Sequence, residues 1–178
     1  SDEHVSTSNL FAMVSDLEKK YSSCEFICRI KDLVPAIDDR ILFYDTCKDC
    51  YFDDSNSNLE ETLKDIMDNH KELLLKMKTF MDESSMLQKL GLVKTWKDDD
   101  DYKMKPAREG YVLFLGEFAE CKMNKIKDLD KFEFVKSVDN YVQMRRRENY
   151  SYRTVVGEIC RLEHENSNLE LVKNAWKL

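Results

Sequence analysis

Six cysteines are the residues of this chain best suited to chemistry. Four come early, as Cys24-x3-Cys28 and Cys47-x2-Cys50, and Cys121 and Cys160 come later. Four thiolates can hold zinc in a tetrahedron, and the two early pairs have spacings of that kind. Neither pair contains the glycine of a zinc knuckle, and both lie in stretches whose apolar residues recur with helical period. Residues three or four apart on a helix share a face. Two facing helices would therefore offer four sulfurs to zinc, to two disulfides if the chain is secreted, or to the core as free thiols. Free thiols are the preferred reading, since Cys behaves as a small buried hydrophobe. Zinc on Cys24, Cys28, Cys47 and Cys50 is the alternative, and no other cofactor is expected. Cys121 and Cys160 read as core residues.

Catalytic patterns are sparse. His4, His70 and His164 each lack a Cys, Ser or acid at a spacing that forms a known constellation, and no Gly-rich phosphate loop exists. Acids are plentiful, but without a signal for an apolar pocket they do not indicate acid–base work. The consecutive acids at 98–101 cannot converge on one cation without a special turn, so they read as a solvated linker. The basic concentration is Arg145-Arg146-Arg147, followed by Arg153 and Arg161, with Tyr150 and Tyr152 among them. It suits RNA phosphates with stacked bases, a protein partner, or a solvated helix end paired with Glu148 and Glu158. The net charge of −7 argues against nucleic acid binding over the whole surface and leaves room for one basic patch only. Trp96 and Trp176 lie near element ends, where an aromatic side chain can anchor a partner. Trp176 also keeps helical phase with Leu169 and Val172, which favours a core position.

The elements that must position these groups are helices. The chain has 178 residues, with only four Gly and two Pro. Sheets and tight turns consume those residue types, and this length suits one domain that buries roughly 70% of its unfolded surface. Apolar spacing predicts helices over residues 8–20, 24–33 and 36–51. A longer helix begins at 59, with Asn58 as N-cap and Glu61 at the capping-box position, and runs to about 82–85. A shorter apolar piece spans 86–96 and an exposed loop follows to Pro106. Residues 107–126 are apolar almost all round, so that helix must be enclosed by others. Three further helices are expected over 131–144, 152–164 and 168–177. Their inward residues are Phe132, Val135, Val138, Tyr141 and Val142, then Val155, Val156, Ile159 and Leu162, then Leu169, Val172 and Trp176. The expected architecture is all-α: one domain over 1–178, clearest over 58–178, of antiparallel helix pairs in a HEAT-like repeat, solenoid or bundle.

Three pieces carry a family resemblance over about residues 70–165. They are Lys71-Glu72-Leu73-Leu74-Leu75-Lys76 with Phe80; Arg108 through Val112-Leu113-Phe114-Leu115-Gly116-Glu117-Phe118 with Lys122-Met123; and Val155-Val156 through Leu162. Together they resemble the middle domain of the eukaryotic translation initiation factor 4G family. The resemblance implies a stack of helix pairs that docks proteins, often a DEAD-box RNA helicase, with RNA contacts as well. In that setting Gly116 would allow a neighbouring helix to approach closely. The tail from Val155-Val156-Gly157 through Leu171-Val172-Lys173-Asn174-Ala175-Trp176-Lys177 resembles, more weakly, the N-terminal domain of elongation factor S-II.

The expectation is a non-enzymatic scaffold in mRNA translation or metabolism, with a protein-docking face of Glu117, Lys122, Lys125, Arg145, Arg146 and Arg147. A transcription-elongation module and a secreted, host-modulating helical bundle are the alternatives. No run approaches the ~20 apolar residues of a membrane span, and the start has no signal-peptide pattern. With six Cys and eight Met, a reducing compartment is expected, cytoplasmic or nuclear.

Overall fold

A computed structural model describes residues 7–116 and 129–176, with 8, 129, 148–157 and 171–176 described as backbone only. The chain runs through α1 (Thr7–Lys20), α2 (Glu25–Leu33), α3 (Ile37–Phe52), β1 (Ser57–Asn58), α4 (Leu59–Ile66), α5 (His70–Met81), α6 (Met86–Lys89), β2 (Val93–Asp98), β3 (Asp101–Pro106), α7 (Arg108–Leu115) and α8 (Leu129–Trp176). It divides into two units, Ser1–Arg145 and Arg146–Leu178. A single domain over the whole chain was the expectation. The first unit contains α1 to α7 and the start of α8, and the second contains the rest of α8.

Helix α3 is the most enclosed element of the first unit. Every residue from Asp39 to Cys47 is buried, the charged ones included. A charge is tolerated there only when it is paired and hydrogen-bonded. Arg40 meets that condition. Its Nε and Nη2 reach the two oxygens of Glu18 on α1 at 2.7 and 3.0 Å. Its Nη1 donates to the carbonyls of Val34 and Pro35 at 3.0 and 2.7 Å. The Tyr44 hydroxyl donates to the same carboxylate at 2.8 Å. Lys76 on α5 lies 2.6 Å from Asp39 and 3.1 Å from Asp38. Lys48 spans Asp53 and Asp139, tying α3 to the start of α8.

Aromatic rings fill the space around α3. Phe114 of α7 stacks on Tyr51 at 4.7 Å and meets Phe26 edge-on at 5.1 Å. Phe134 of α8 meets Tyr44 at 4.8 Å. Such pairs add roughly 0.5–1.5 kcal/mol each beyond their buried area. The expected burial of Val135, Val138 and Val142 is observed, while Phe132 and Tyr141 are only half-buried and Phe134 takes the inner position.

Four elements depart from the sequence reading. The helix expected from 59 breaks at Met67–Asn69, where Met67 turns extended and Asn69 caps α5 by accepting from Lys71 and Glu72. Asn58 does cap α4, accepting from the Glu61 amide at 3.1 Å. A full capping box stands instead at Ser85 and Gln88. Residues 93–106 form an antiparallel hairpin, with Val93 opposite Pro106 and Asp98 opposite Asp101. Asp99 takes a φ of +51° at its tip, a conformation Asp accepts more readily than most residues. Strand β1 pairs with β3, giving the order β1-β3-β2, so the fold is mainly helical rather than all-α. The three helices expected after 131 are one helix, because the polar stretch 145–151 contains good helix formers and no Pro or Gly to stop it.

The helix expected over 107–126 ends as α7 at Leu115, and residues 117–126 lie outside the described residues. Gly116 is its C-cap, with a φ of +80°. An added Cβ there would meet nothing within 4 Å, so Gly116 supplies conformation rather than a close approach. The close approach belongs to Gly110, whose Cβ would fall 2.1 Å from the Leu92 carbonyl oxygen. The 91–92 turn also receives the first amides of α7, Ala107 to Leu92 O at 2.9 Å and Glu109 to Gly91 O at 3.2 Å. Gly110→Ala should therefore destabilise the fold by about 2–3 kcal/mol through overpacking. Gly116→Ala should cost only about 1–2 kcal/mol, the strain of a left-handed residue. Urea unfolding of the two variants checks both the order and the gap.

Candidate partner-binding surface

The basic concentration is split by its burial. Arg145, expected on a docking face, is fully buried. Its Nε donates to the Asp65 carbonyl at the end of α4, and its Nη2 pairs with Asp68 in the break before α5. The cation therefore serves a helix C-terminus, where it is favoured by the orphan carbonyls and the macrodipole. Asp68 also accepts from the Thr7 amide at 2.9 Å, so the start of α1 joins the same knot. Burial opposes ionisation of Asp68, but hydrogen bonds from Thr7 and Arg145 outweigh it and hold the carboxyl below its ordinary value. Arg145 is thus removed from the docking face by its packing. Arg146 and Arg147 are exposed, as that face requires. Glu117, Lys122 and Lys125, its remaining members, lie outside the described residues, as do His4 and Cys121.

The early cysteines do not form a tetrad. Cys24 and Cys47 are buried free thiols and Cys28 is an exposed one, but Cys50, also expected as a free thiol, is in a disulfide with none of these three. Among the described residues no group of three or more His, Cys, Asp or Glu converges as metal ligands. Burial raises the Cys47 thiol well above its ordinary range, with only partial relief from Lys131. Cys160, read as core, is exposed on α8.

Other singled-out residues take modest positions. The acids at 98–101 form the hairpin end, and His70 and His164 are exposed on helices. Trp96 is half-buried on β2, with the Lys105 ammonium 5.8 Å from its ring centre. An open depression is lined by Glu83, Gln88, Lys89, Val93, Lys94 and Thr95. Among the described residues, no helix is long and apolar enough to cross a membrane.

The feature that sequence reasoning misplaced is the apolar stripe of α8. Every residue from 158 to 170 is exposed. Ile159, Leu162 and Leu169, expected to be buried, are 50%, 47% and 52% exposed. Their spacing of three and seven residues puts them on one face. Arg161 bridges Glu158 and Glu165 along the helix, a pairing that supports it locally. Leu74 and Leu75 on α5 are also exposed, but they are neighbours on a helix that buries Leu73 and Phe80 against the core. Scattered exposed leucines of that kind are ordinary. A helical segment with an apolar face and no buried residue is not, because tertiary packing normally supplies most of a helix's stability.

No protein-family model, characterised protein or solved structure matches the chain.

Two outcomes follow from these placements. Arg145→Ala should lower unfolding free energy by about 2–3 kcal/mol, below the 3–5 typical of a fully buried pair because Asp68 is half-exposed. Arg147→Ala should change it by less than about 1 kcal/mol, and chemical denaturation separates the two. In alkylation with mass mapping, Cys28 and Cys160 should react in the native protein. Cys24 and Cys47 should react only after unfolding, and Cys50 only after reduction as well.

Proposed function

We propose that the chain is a non-enzymatic protein-interaction module whose docking element is the second part of α8. The observation that carries this reading is the exposure of Ile159, Leu162 and Leu169 on one face of a segment in which residues 158–170 bury nothing. Exposed apolar stripes at helical spacing are how amphipathic helices engage a groove or another helix. The first unit supports the reading by anchoring the base of that helix, through Phe134, Val138, Val142 and Arg145.

The resemblance of residues 70–165 to the initiation factor 4G family supports a setting in mRNA translation or metabolism. In that setting the module is a helical-repeat scaffold, and a DEAD-box RNA helicase or a translation factor is its candidate partner. Arg146 and Arg147, exposed at the start of the second unit, add cationic side chains next to the apolar stripe in the sequence.

A triple variant, Ile159→Glu, Leu162→Glu and Leu169→Glu, tests the proposal. Its thermal unfolding should match that of the unmodified chain, since surface changes of this kind move stability by about 0.5 kcal/mol or less. Affinity capture with both proteins, read by mass spectrometry, should show partners retained by the unmodified chain and lost by the variant. Identical partner sets would remove α8 as the docking element, and a lost set without any helicase or translation factor would remove the pathway reading.

A further inference from the structure

The apolar stripe of α8 follows a heptad. Ile159, Leu162, Asn166 and Leu169 are separated by three, four and three residues, and all are exposed. In the sequence the same spacing extends back to Val155 and Tyr152 and forward to Lys173 and Trp176. The leucine-preferring positions are then Val155, Leu162, Leu169 and Trp176, and the other set is Tyr152, Ile159, Asn166 and Lys173, with Asn166 and Lys173 its polar members. Between 158 and 170 the seam is two-in-seven, the width of a coiled-coil interface and narrower than a face that packs on a globular core. One Asn in such a seam is a device that fixes register and strand number at some cost in stability.

The residues flanking the seam select the partner. Between 158 and 170 they are Glu158 and Glu165 on one side and Glu163 and Glu170 on the other, all exposed, while Val156 and Val172 occupy the same flanks further along the sequence. Arg161, the one Arg or Lys in the sequence from 158 to 170, is engaged along its own helix with Glu158 and Glu165. It holds the Glu158 carboxyl below its ordinary value, so that side chain remains anionic. In a parallel pair of copies, Glu158 would face Glu163 and Glu165 would face Glu170, twice by symmetry. In an antiparallel pair the flanks would again place Glu against Glu. Flanking charges set partner choice in coiled coils, and the same acids disfavour an anionic lipid surface.

We infer that the α8 face through Ile159, Leu162, Asn166 and Leu169 is one strand of a heterotypic two-stranded coiled coil, whose partner helix carries Lys or Arg opposite Glu158, Glu163, Glu165 and Glu170. This rests on the reading of α8 as the docking element and adds the chemistry of what docks there.

The test uses the full chain and two synthetic helical peptides with the same Ile/Leu seam and one matched Asn. One peptide has Lys at all flanking positions, and the other has Glu. Alone, the chain should sediment as a monomer. By fluorescence anisotropy it should bind the Lys peptide at least about tenfold more tightly than the Glu peptide, the sum of several pair energies. Leu162→Glu with Leu169→Glu should weaken Lys-peptide binding more than about tenfold, which shows that the seam and not charge alone is recognised. Glu163→Lys with Glu170→Lys should erase the preference and make the chain self-associate, because Glu158 and Glu165 then face lysines across a parallel pair. A wild-type dimer held by the seam, or equal affinity for the two peptides, would overturn the partner chemistry while leaving α8 as a docking element. Failure of both peptides to bind, with partner capture unaffected by the triple Glu variant, would overturn the docking element itself.

Discussion

Everything in the first unit depends on a charged helix running through its centre. Helix α3 carries Asp39, Arg40 and Asp45 into positions where water is excluded. It stays there because neighbouring elements bring the opposite charge to each side. Glu18 from α1 and the carbonyls of Val34 and Pro35 enclose the Arg40 guanidinium. Lys76 from α5 meets Asp39, and Lys48 reaches Asp139 on α8. A buried pair of this kind adds little net stability over an apolar core, but loss of one partner leaves a stranded charge. The pairs connect α3 to α1, α5 and α8, while the rings of Phe26, Tyr51, Phe114 and Phe134, in edge-on and stacked contacts, fill the remaining volume.

The same logic operates where α4 gives way to α5. The broken helix leaves carbonyls without partners at Asp65 and Ile66. Arg145 takes the first, and the Thr7 hydroxyl reaches the second at 3.4 Å. Asp68 then draws on both the Thr7 amide and Arg145. One arginine thus holds the α4–α5 break and the first part of α8, and through Asp68 it shares a partner with the start of α1. It is also the last residue of the first unit. The neighbours Arg146 and Arg147 have the same chemistry but are exposed, and only Arg145 faces the α4–α5 break. Beyond them the helix carries an exposed apolar face and an acidic margin of its own.

Much of the helical framework was legible in the sequence. The first three helices, the Asn58 cap and the inward valines of residues 129–145 stand close to where apolar period placed them. The hairpin was legible in principle. Lys103, Met104, Lys105 and Pro106 alternate, Val93 to Trp96 begins an alternation of its own, and the acids between them make a turn. Their charge made them look like a linker. The centre of the fold was not legible, since the polar pattern of α3 resembles a surface helix until its partners, drawn from residues far along the chain, are known. The break at Met67–Asn69 was hidden for the same reason, because apolar spacing continues across it.

The sequence by itself determined where most of the helices lie and which residues share a face of each, because those depend on local period, caps and side-chain entropy. It also contained the heptad and its acidic flanks, which are properties of spacing. Only the tertiary structure decided which faces are covered. Leu162 and Val138 have the same kind of periodicity, yet one is half-exposed and the other enclosed. Arg145 and Arg147 are two residues apart, yet one is a core cation and the other a surface one. Burial is a property of what lies opposite a residue, and for both pairs that is set by contacts between distant parts of the chain.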